Sequence, residues 1–210
     1  MIRNWKRAGL AVLTALALLP AGASAQVTSK VLHAALYWQE TSEWCWAASG
    51  ETIMNYLGPT EVKQCYEANA ELGHDDCCSC PTPASCVQAG WPQFDHYGYT
   101  STSTSWGTAL SFDQLKAEID ADRPFLFSWA WNGGGAHAMV AKGYVVERLF
   151  FIDMEWVVAD NPWPPVGRCD PAANSGDTGG NLDFDTYAAF VGGPGFDHTH
   201  GADVYAIQHP

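Results

Sequence analysis

The sequence is short of basic residues and of long apolar segments. It has 10 lysines and arginines against 23 aspartates and glutamates among 210 residues. Such a balance excludes the basic surface on which nucleic-acid recognition depends. The longest apolar run, residues 8–19, is shorter than the roughly 20 residues that a membrane-spanning helix needs. We therefore predict neither a nucleic-acid partner nor stable membrane association of the mature chain.

The N-terminus is organised like a secretory signal peptide. Arg3, Lys6 and Arg7 precede the apolar run, and the small residues 23–25 follow it. We predict cleavage after Ala25 and export to the periplasm or the cell exterior. Because residues 1–25 hold three basic and no acidic residues, 185 residues with 7 basic and 23 acidic side chains remain, a net charge of −16. This length suits a single domain, residues 26–210, which we expect to be a monomer.

Seven cysteines in an exported chain predict three disulfides and one free thiol. If Cys45 is the free thiol, the candidates for disulfides are Cys65, Cys77, Cys78, Cys80, Cys86 and Cys169. Adjacent Cys77 and Cys78 are expected to have different partners, because a ring that joins neighbours is strained. Sequence alone does not choose among the fifteen possible connectivities.

Two clusters of potential metal ligands compete with these interpretations. A zinc site could be built from Cys77, Cys78, Cys80 and Cys86, but an exported chain favours disulfides and the paired C-x-x-C spacing is missing. His198 and His200 could form a metal pair, but no third ligand lies at a persuasive spacing. We predict no metal and no cofactor.

Hydrophobic periodicity divides the mature chain into a helical half, about residues 30–100, and a β half, about residues 109–210. Helices are predicted at residues 45–57 and 61–72, and a capping box at Ser111 and Gln114 begins a third. Strands are predicted at residues 125–131, 138–146, 149–158 and 203–208. Residues 100–108 and 162–182 are predicted to be loops. The fold class is therefore α+β.

Cys45 combines two features of a nucleophile. It begins the first predicted helix, where unsatisfied N–H groups and the helix dipole favour thiolate over thiol. Gln39 lies six residues upstream and could donate hydrogen bonds beside the thiol. The alternative is a buried or disulfide-bonded cysteine between Trp44 and Trp46.

The β half supplies a base and an orienting group. His137 follows three glycines and leads into a predicted strand, which would hold its ring rigidly as a general base. Asp160 and Asn161 follow the next strand, and either could accept the histidine N–H. The structural alternative is that Asn161 and Pro162 simply start a turn.

Together these residues resemble the papain-like cysteine peptidases. The order Gln39, Cys45, His137, Asn161 and the six-residue gap between the first two match that family. The motif Trp44-Cys45-Trp46-Ala47-Ala48, with His137 after a glycine-rich turn and Trp163 two residues beyond Asn161, is similar to the compact bacterial C39-like and AvrRpt2-like branches.

The resemblance implies a papain-like fold in which a helical half carries the cysteine, an antiparallel β half carries the histidine, and the cleft lies between them. Cys45 would attack a peptide carbonyl, His137 would form an ion pair with it and protonate the leaving amine, and Asn161 would orient His137. Gln39 and the Cys45 backbone N–H would form the oxyanion hole. Trp46 would line the substrate cleft, and Trp163 would shield the histidine from water.

Two departures limit the analogy. Ser42 stands where papain has a disulfide cysteine, so the cross-links are not transferable. The branch often has Asp before the proline; here Asn161 precedes Pro162, and Asp160 is the alternative third residue.

We therefore predict an exported thiol peptidase acting on peptides or proteins. A silent binding module is one alternative, since nine of the ten tryptophans lie beyond Ala25. An acyl transferase is another, because it would form the same acyl-enzyme.

Overall fold

The computed structural model describes residues 26–59, 61–167, 169 and 179–210. The predicted signal peptide lies outside this part of the chain, as does much of the predicted loop at 162–182. The described chain combines four α-helices with a seven-stranded antiparallel sheet, which agrees with the predicted α+β class. None of the described helices has the length and apolar character to cross a bilayer.

The sheet is built mainly from the C-terminal part of the chain. Its strands are β1 (Gln26–Val31), β2 (Thr100–Ser103), β3 (Phe125–Trp131), β4 (Ala136–Leu149), β5 (Ile152–Asn161), β6 (Asn181–Thr186) and β7 (His198–Gln208). The spatial order is β2-β7-β3-β4-β5-β6. The long strand β4 pairs with β3 along its first half and with β1 along its second half, while β5 lies on its other side.

The helices cover both faces of this sheet. They are α1 (Cys45–Leu57), α2 (Gln64–Leu72), α3 (Phe112–Asp120) and α4 (Tyr187–Val191). Alternation along β4 separates two cores: Ala138 and Val140 pack with α1, whereas Met139 and Ala141 pack with α3 and α4. Helix α1 is buried continuously from Trp46 to Met54, so it is an internal helix of the domain.

Several boundaries predicted from periodicity are confirmed. Helix α1 runs over the predicted residues 45–57, and β3 over residues 125–131. The Ser111 hydroxyl accepts the Gln114 N–H, and the Gln114 side chain accepts the Ser111 N–H, which is the predicted capping box.

Other boundaries were wrong. The second helix begins at Gln64 rather than residue 61, because the Val62 N–H bonds to the Asn55 side chain and Lys63 is extended. Residues 100–103 form an exposed strand inside a predicted loop; their Thr and Ser side chains carry no apolar alternation, and only pairing with β7 defines the strand. Strand β4 begins at Ala136, so His137 lies within it rather than before it.

Candidate active site

Two tryptophans hold the N-terminus of α1 in place. Trp44 is fully buried and its indole donates to the Cys86 carbonyl at 2.7 Å. The Trp46 indole donates to the Gln88 carbonyl at 3.2 Å. Both acceptors lie in one short segment, residues 86–88. Cys45 is therefore fixed between two anchored side chains at the start of the helix.

The remaining six cysteines are all bridged, in the pairs Cys65–Cys78, Cys77–Cys86 and Cys80–Cys169. Cys45 is free. This agrees with the predicted framework of three disulfides, and Cys77 and Cys78 do have different partners. The zinc cluster considered from the sequence is wrong, because all four of its sulfurs lie in disulfides.

His137 is brought to the site by a tight turn and a strand. Gly134 and Gly135 adopt φ values of 95° and 86°, which glycine accommodates without strain, and they lead the chain into β4. The ring of Trp131, at the end of β3, lies roughly parallel to the His137 ring, with centroids 6.4 Å apart. Beside His137, the Ala138 N–H donates to the Cys45 sulfur at 3.5 Å.

Strand alternation decides which of Asp160 and Asn161 lies next to His137. Asn161 Oδ1 lies 2.8 Å from His137 Nε2. Asp160 points to the opposite face of β5, where it is almost fully buried and forms an ion pair with Lys142 at 2.6 Å. The geometry therefore places Asn161, rather than Asp160, next to the histidine.

Cys45, His137 and Asn161 line one cavity of about 550 Å³. Its walls come from residues 42, 43, 45 and 46, from residues 89–91, from residues 128, 129, 131 and 135–138, and from residues 106, 161 and 163. Six tryptophans contribute: Trp46, Trp91, Trp106, Trp129, Trp131 and Trp163. Among the described lining residues, Glu43 is the only carboxylate. The cavity is therefore a largely apolar space with a thiol, an imidazole and an amide at its centre.

Burial dominates the electrostatics of the pair. It raises the pKa of the Cys45 thiol above its ordinary value, while N–H groups of Ala138, Trp46 and Cys45 itself lower it by smaller amounts. Burial also lowers the pKa of His137, against the opposing effects of Asn161 and the charge of Asp183. Both directions favour a neutral thiol and a neutral imidazole in the free protein. The predicted ion pair stays a prediction.

Gln39 does not present a free donor to the cavity in this conformation. Its side chain is almost fully buried, and its amide NH₂ donates to the Thr41 and Ser42 carbonyls at 2.8 and 2.9 Å. Its Oε1 atom is buried without a hydrogen-bond partner among the described residues. A role in the oxyanion hole therefore requires this amide to reorient when a substrate binds.

The other predicted site residues are placed as follows. Trp46 and Trp163 both line the cavity, and Trp163 donates its backbone N–H to Asn161 Oδ1 at 3.0 Å. His198 and His200 do not act as a metal pair, since each ring nitrogen faces a protein oxygen: the Asp197 carboxylate and Ala189 carbonyl for His198, the Phe190 carbonyl and Asp203 carboxylate for His200.

Sequence reasoning missed Trp131 and Asp183. Asp183 accepts a hydrogen bond from the Asn161 amide at 2.7 Å. The alternation of Leu182, Asp183 and Phe184 is a strand signal that would have predicted a strand at this residue.

A cysteine at a helix N-terminus, sharing a cavity with a histidine that is bonded to an asparagine, has the composition of a thiol hydrolase centre. The family model described as the papain-like cysteine protease AvrRpt2 matches residues 28–164, well over half of the chain. The chain therefore belongs to this family of papain-like cysteine proteases, and it is an enzyme of that class. The match includes Gln39, Cys45, His137 and Asn161. None of the curated proteins compared with the chain matches it.

Proposed function

We propose that this protein is an exported peptidase that cleaves peptide bonds through Cys45 and His137. The observation that carries the proposal is that the free thiol among seven cysteines lines the same cavity as the His137–Asn161 pair. Residues 26–210 would form one papain-like domain, with the cleft between the helical half and the β half. Peptides or proteins are the substrates, the working unit is a monomer, and no cofactor takes part.

The hydrogen bonds around His137 support a direction for proton transfer. Because Nε2 engages the Asn161 oxygen, that nitrogen carries the proton and Nδ1 is left as the base. Nδ1 takes the Cys45 proton as the sulfur attacks the substrate carbonyl. The same proton then passes to the amine leaving group, which departs and leaves an acyl-enzyme. Water, deprotonated by His137, releases the acid.

Two donors would stabilise the oxyanion of each tetrahedral intermediate. The Cys45 backbone N–H belongs to the first turn of α1, whose N-terminal amides have no intrahelical acceptors. The Gln39 amide would be the second donor after it leaves the Thr41 and Ser42 carbonyls. Donors of this kind are worth about 3 kcal/mol each.

Export after cleavage at Ala25 is supported by the leader pattern and by three disulfides, which are typical of oxidising compartments. N-terminal sequencing of the protein recovered from the producing cells tests this, and Gln26 is the expected first residue.

The catalytic proposal is tested by labelling with a peptidyl thiol-reactive probe. The unmodified protein is expected to react at Cys45, and Cys45→Ala is expected to lose the labelling. In His137→Ala the labelling rate is expected to fall by about 100-fold or more. His96→Ala is the matched control, since His96 is exposed and does not line the cavity. Labelling unchanged in both active-site variants would overturn the proposal. Product analysis with and without added amines then separates hydrolysis from acyl transfer.

A further inference from the structure

A carboxylate stands behind the asparagine of the site. The Asn161 amide nitrogen donates to Asp183 Oδ2 at 2.7 Å. In the β5–β6 register Asp183 lies opposite Ala159, and both share a sheet face with Asn161 because cross-strand partners point the same way. Asp183 lies beyond residue 164, where the family match ends.

This contact determines which end of the Asn161 amide faces the histidine. A carboxylate only accepts hydrogen bonds, so the amide NH₂ must be on the side of Asp183. The amide oxygen is then turned towards His137 Nε2, and the Trp163 N–H binds the same oxygen at 3.0 Å. With an acceptor at Nε2, the neutral imidazole carries its proton there and leaves Nδ1 as the base.

Asp183 also acts on the imidazole through its charge. Its negative charge raises the pKa of His137, against the larger lowering by burial. Among the described residues, Cys45 at the start of α1 and Glu43 just before it line the same cavity as His137, and His198 of β7 packs against Trp131. Compared with Cys45, Glu43 and His198, Asp183 is the group whose charge contributes to the pKa shift of His137.

We propose that Asp183 is a positioning residue, which acts through Asn161 to hold His137 in the tautomer and charge state that the thiol requires. The chain Asp183, Asn161, His137, Cys45 extends the three-residue centre by one member that comes from β6. Its catalytic consequence rests on the proposed function, whereas its effect on the histidine does not.

The first test uses a protein that cannot turn over substrate. In a Cys45→Ala background, the His137 ring is titrated by NMR, with the resonance assigned by its loss in His137→Ala. Asp183→Asn is expected to shift the pKa of His137 downward, because the charge is lost while an acceptor oxygen remains. Asp185→Asn is the matched control, two residues further along the same face of β6, and is expected to leave the pKa unchanged. An unchanged pKa in Asp183→Asn would overturn the proposal even if the enzyme were not a peptidase.

The second test separates the hydrogen bond from the charge. Asp183→Asn keeps an acceptor oxygen, so it is expected to lower kcat less than Asp183→Ala does, and to move the acidic limb of the kcat/KM profile to lower pH. Asp183→Ala loses the amide acceptor as well, and its kcat is expected to fall about ten- to a hundredfold through misorientation of His137. If kcat and kcat/KM of Asp183→Ala equalled those of the unmodified protein across the pH range, Asp183 would not be a positioning residue. Failure of the peptidase proposal would show itself separately, as absent labelling at Cys45.

Discussion

The helical half, about residues 30–100, and the β half, about residues 109–210, stabilise buried charge in different ways. In the helical half, Glu51 and Glu67 are buried and form no ion pair with the described residues. In the β half, buried carboxylates have cationic or imidazole partners: Asp160 with Lys142, Asp203 with His200, and Glu118 with Arg123. Their hydrogen bonds come from uncharged groups: the Gln64 amide donates to Glu51, and the Gln93 backbone N–H donates to Glu67.

This difference sets the expected protonation of the two halves. Burial raises the pKa of Glu51 to about 7 and that of Glu67 well above its usual range, so both tend to take up protons. Burial also raises the pKa of Asp160, but Lys142 opposes that effect. Protonation of its two buried glutamates at low pH therefore stabilises the helical half. The stability of the β half depends instead on intact ion pairs.

The largest expected effect comes from breaking a pair in the β half. Lys142→Met leaves the buried Asp160 carboxyl without its cation, so that it either stays charged and unpaired or takes up a proton; this is expected to cost about 3–5 kcal/mol of unfolding free energy at neutral pH. Denaturant unfolding measures the loss. The double variant Lys142→Met/Asp160→Leu is expected to recover most of it. The control Arg148→Met breaks the exposed pair with Asp153 and is expected to leave the stability almost unchanged. If Lys142→Met lowered the unfolding free energy only slightly, the β half would not depend on its buried ion pairs as stated.

A disulfide in the helical half comes next. Removal of Cys77–Cys86, by Cys77→Ala with Cys86→Ala, is expected to cost about 2–3 kcal/mol, from the loss of a short closed loop. Removing this disulfide should also slow the labelling of Cys45 by the probe. The Cys86 carbonyl anchors the indole of Trp44, and Trp44 is the residue next to Cys45.

The matched control for this prediction is the double alanine variant of Cys65 and Cys78, whose loop has a similar length of 13 residues against 9. A similar loss of stability with unchanged Cys45 labelling is expected there. Equal labelling rates in both variants would argue against a route from the disulfide through Trp44 to the thiol.

The smallest effect concerns the unpaired carboxylate Glu51. Its folded pKa of about 7 exceeds the ordinary value of 4.5, so the unfolding free energy falls as pH rises from 4.5 to 7. Glu51→Gln removes this dependence and is expected to stabilise the protein by about 1–2 kcal/mol at pH 8, with little effect at pH 4.

Unfolding curves at the two pH values measure the effect of Glu51→Gln. Asp95→Asn, at an exposed site in the same half, provides the comparison and should leave the pH dependence unchanged. If Glu51→Gln were less stable than the unmodified protein at pH 8, Glu51 would be ionised in the folded state and its carboxylate would make stabilising hydrogen bonds there.

Local patterns predicted the elements that carry the site. The apolar spacing of α1 and its stop at Gly58 put Cys45 at a helix start, and the aromatic run of β3 defined that strand. The order of Gln39, Cys45 and His137 was sufficient to indicate the family. Residues 100–103 were missed because an exposed polar strand has no hydrophobic pattern and is defined only by its neighbour. Strand β6 was missed because its short alternation begins at the end of a stretch rich in Pro, Gly, Asp and Asn.

The sequence by itself determined the chemistry available: a thiol at a helix N-terminus, a histidine after a glycine turn, and enough cysteines to leave one free. The choice of Asn161 over Asp160, the pairing of the six other cysteines and the place of Asp183 were decided only by the tertiary structure. For Asn161 and Asp183 the physical reason is that strand register decides which side chains share a sheet face. For the cysteines it is which helix and loop residues the fold brings within bonding distance.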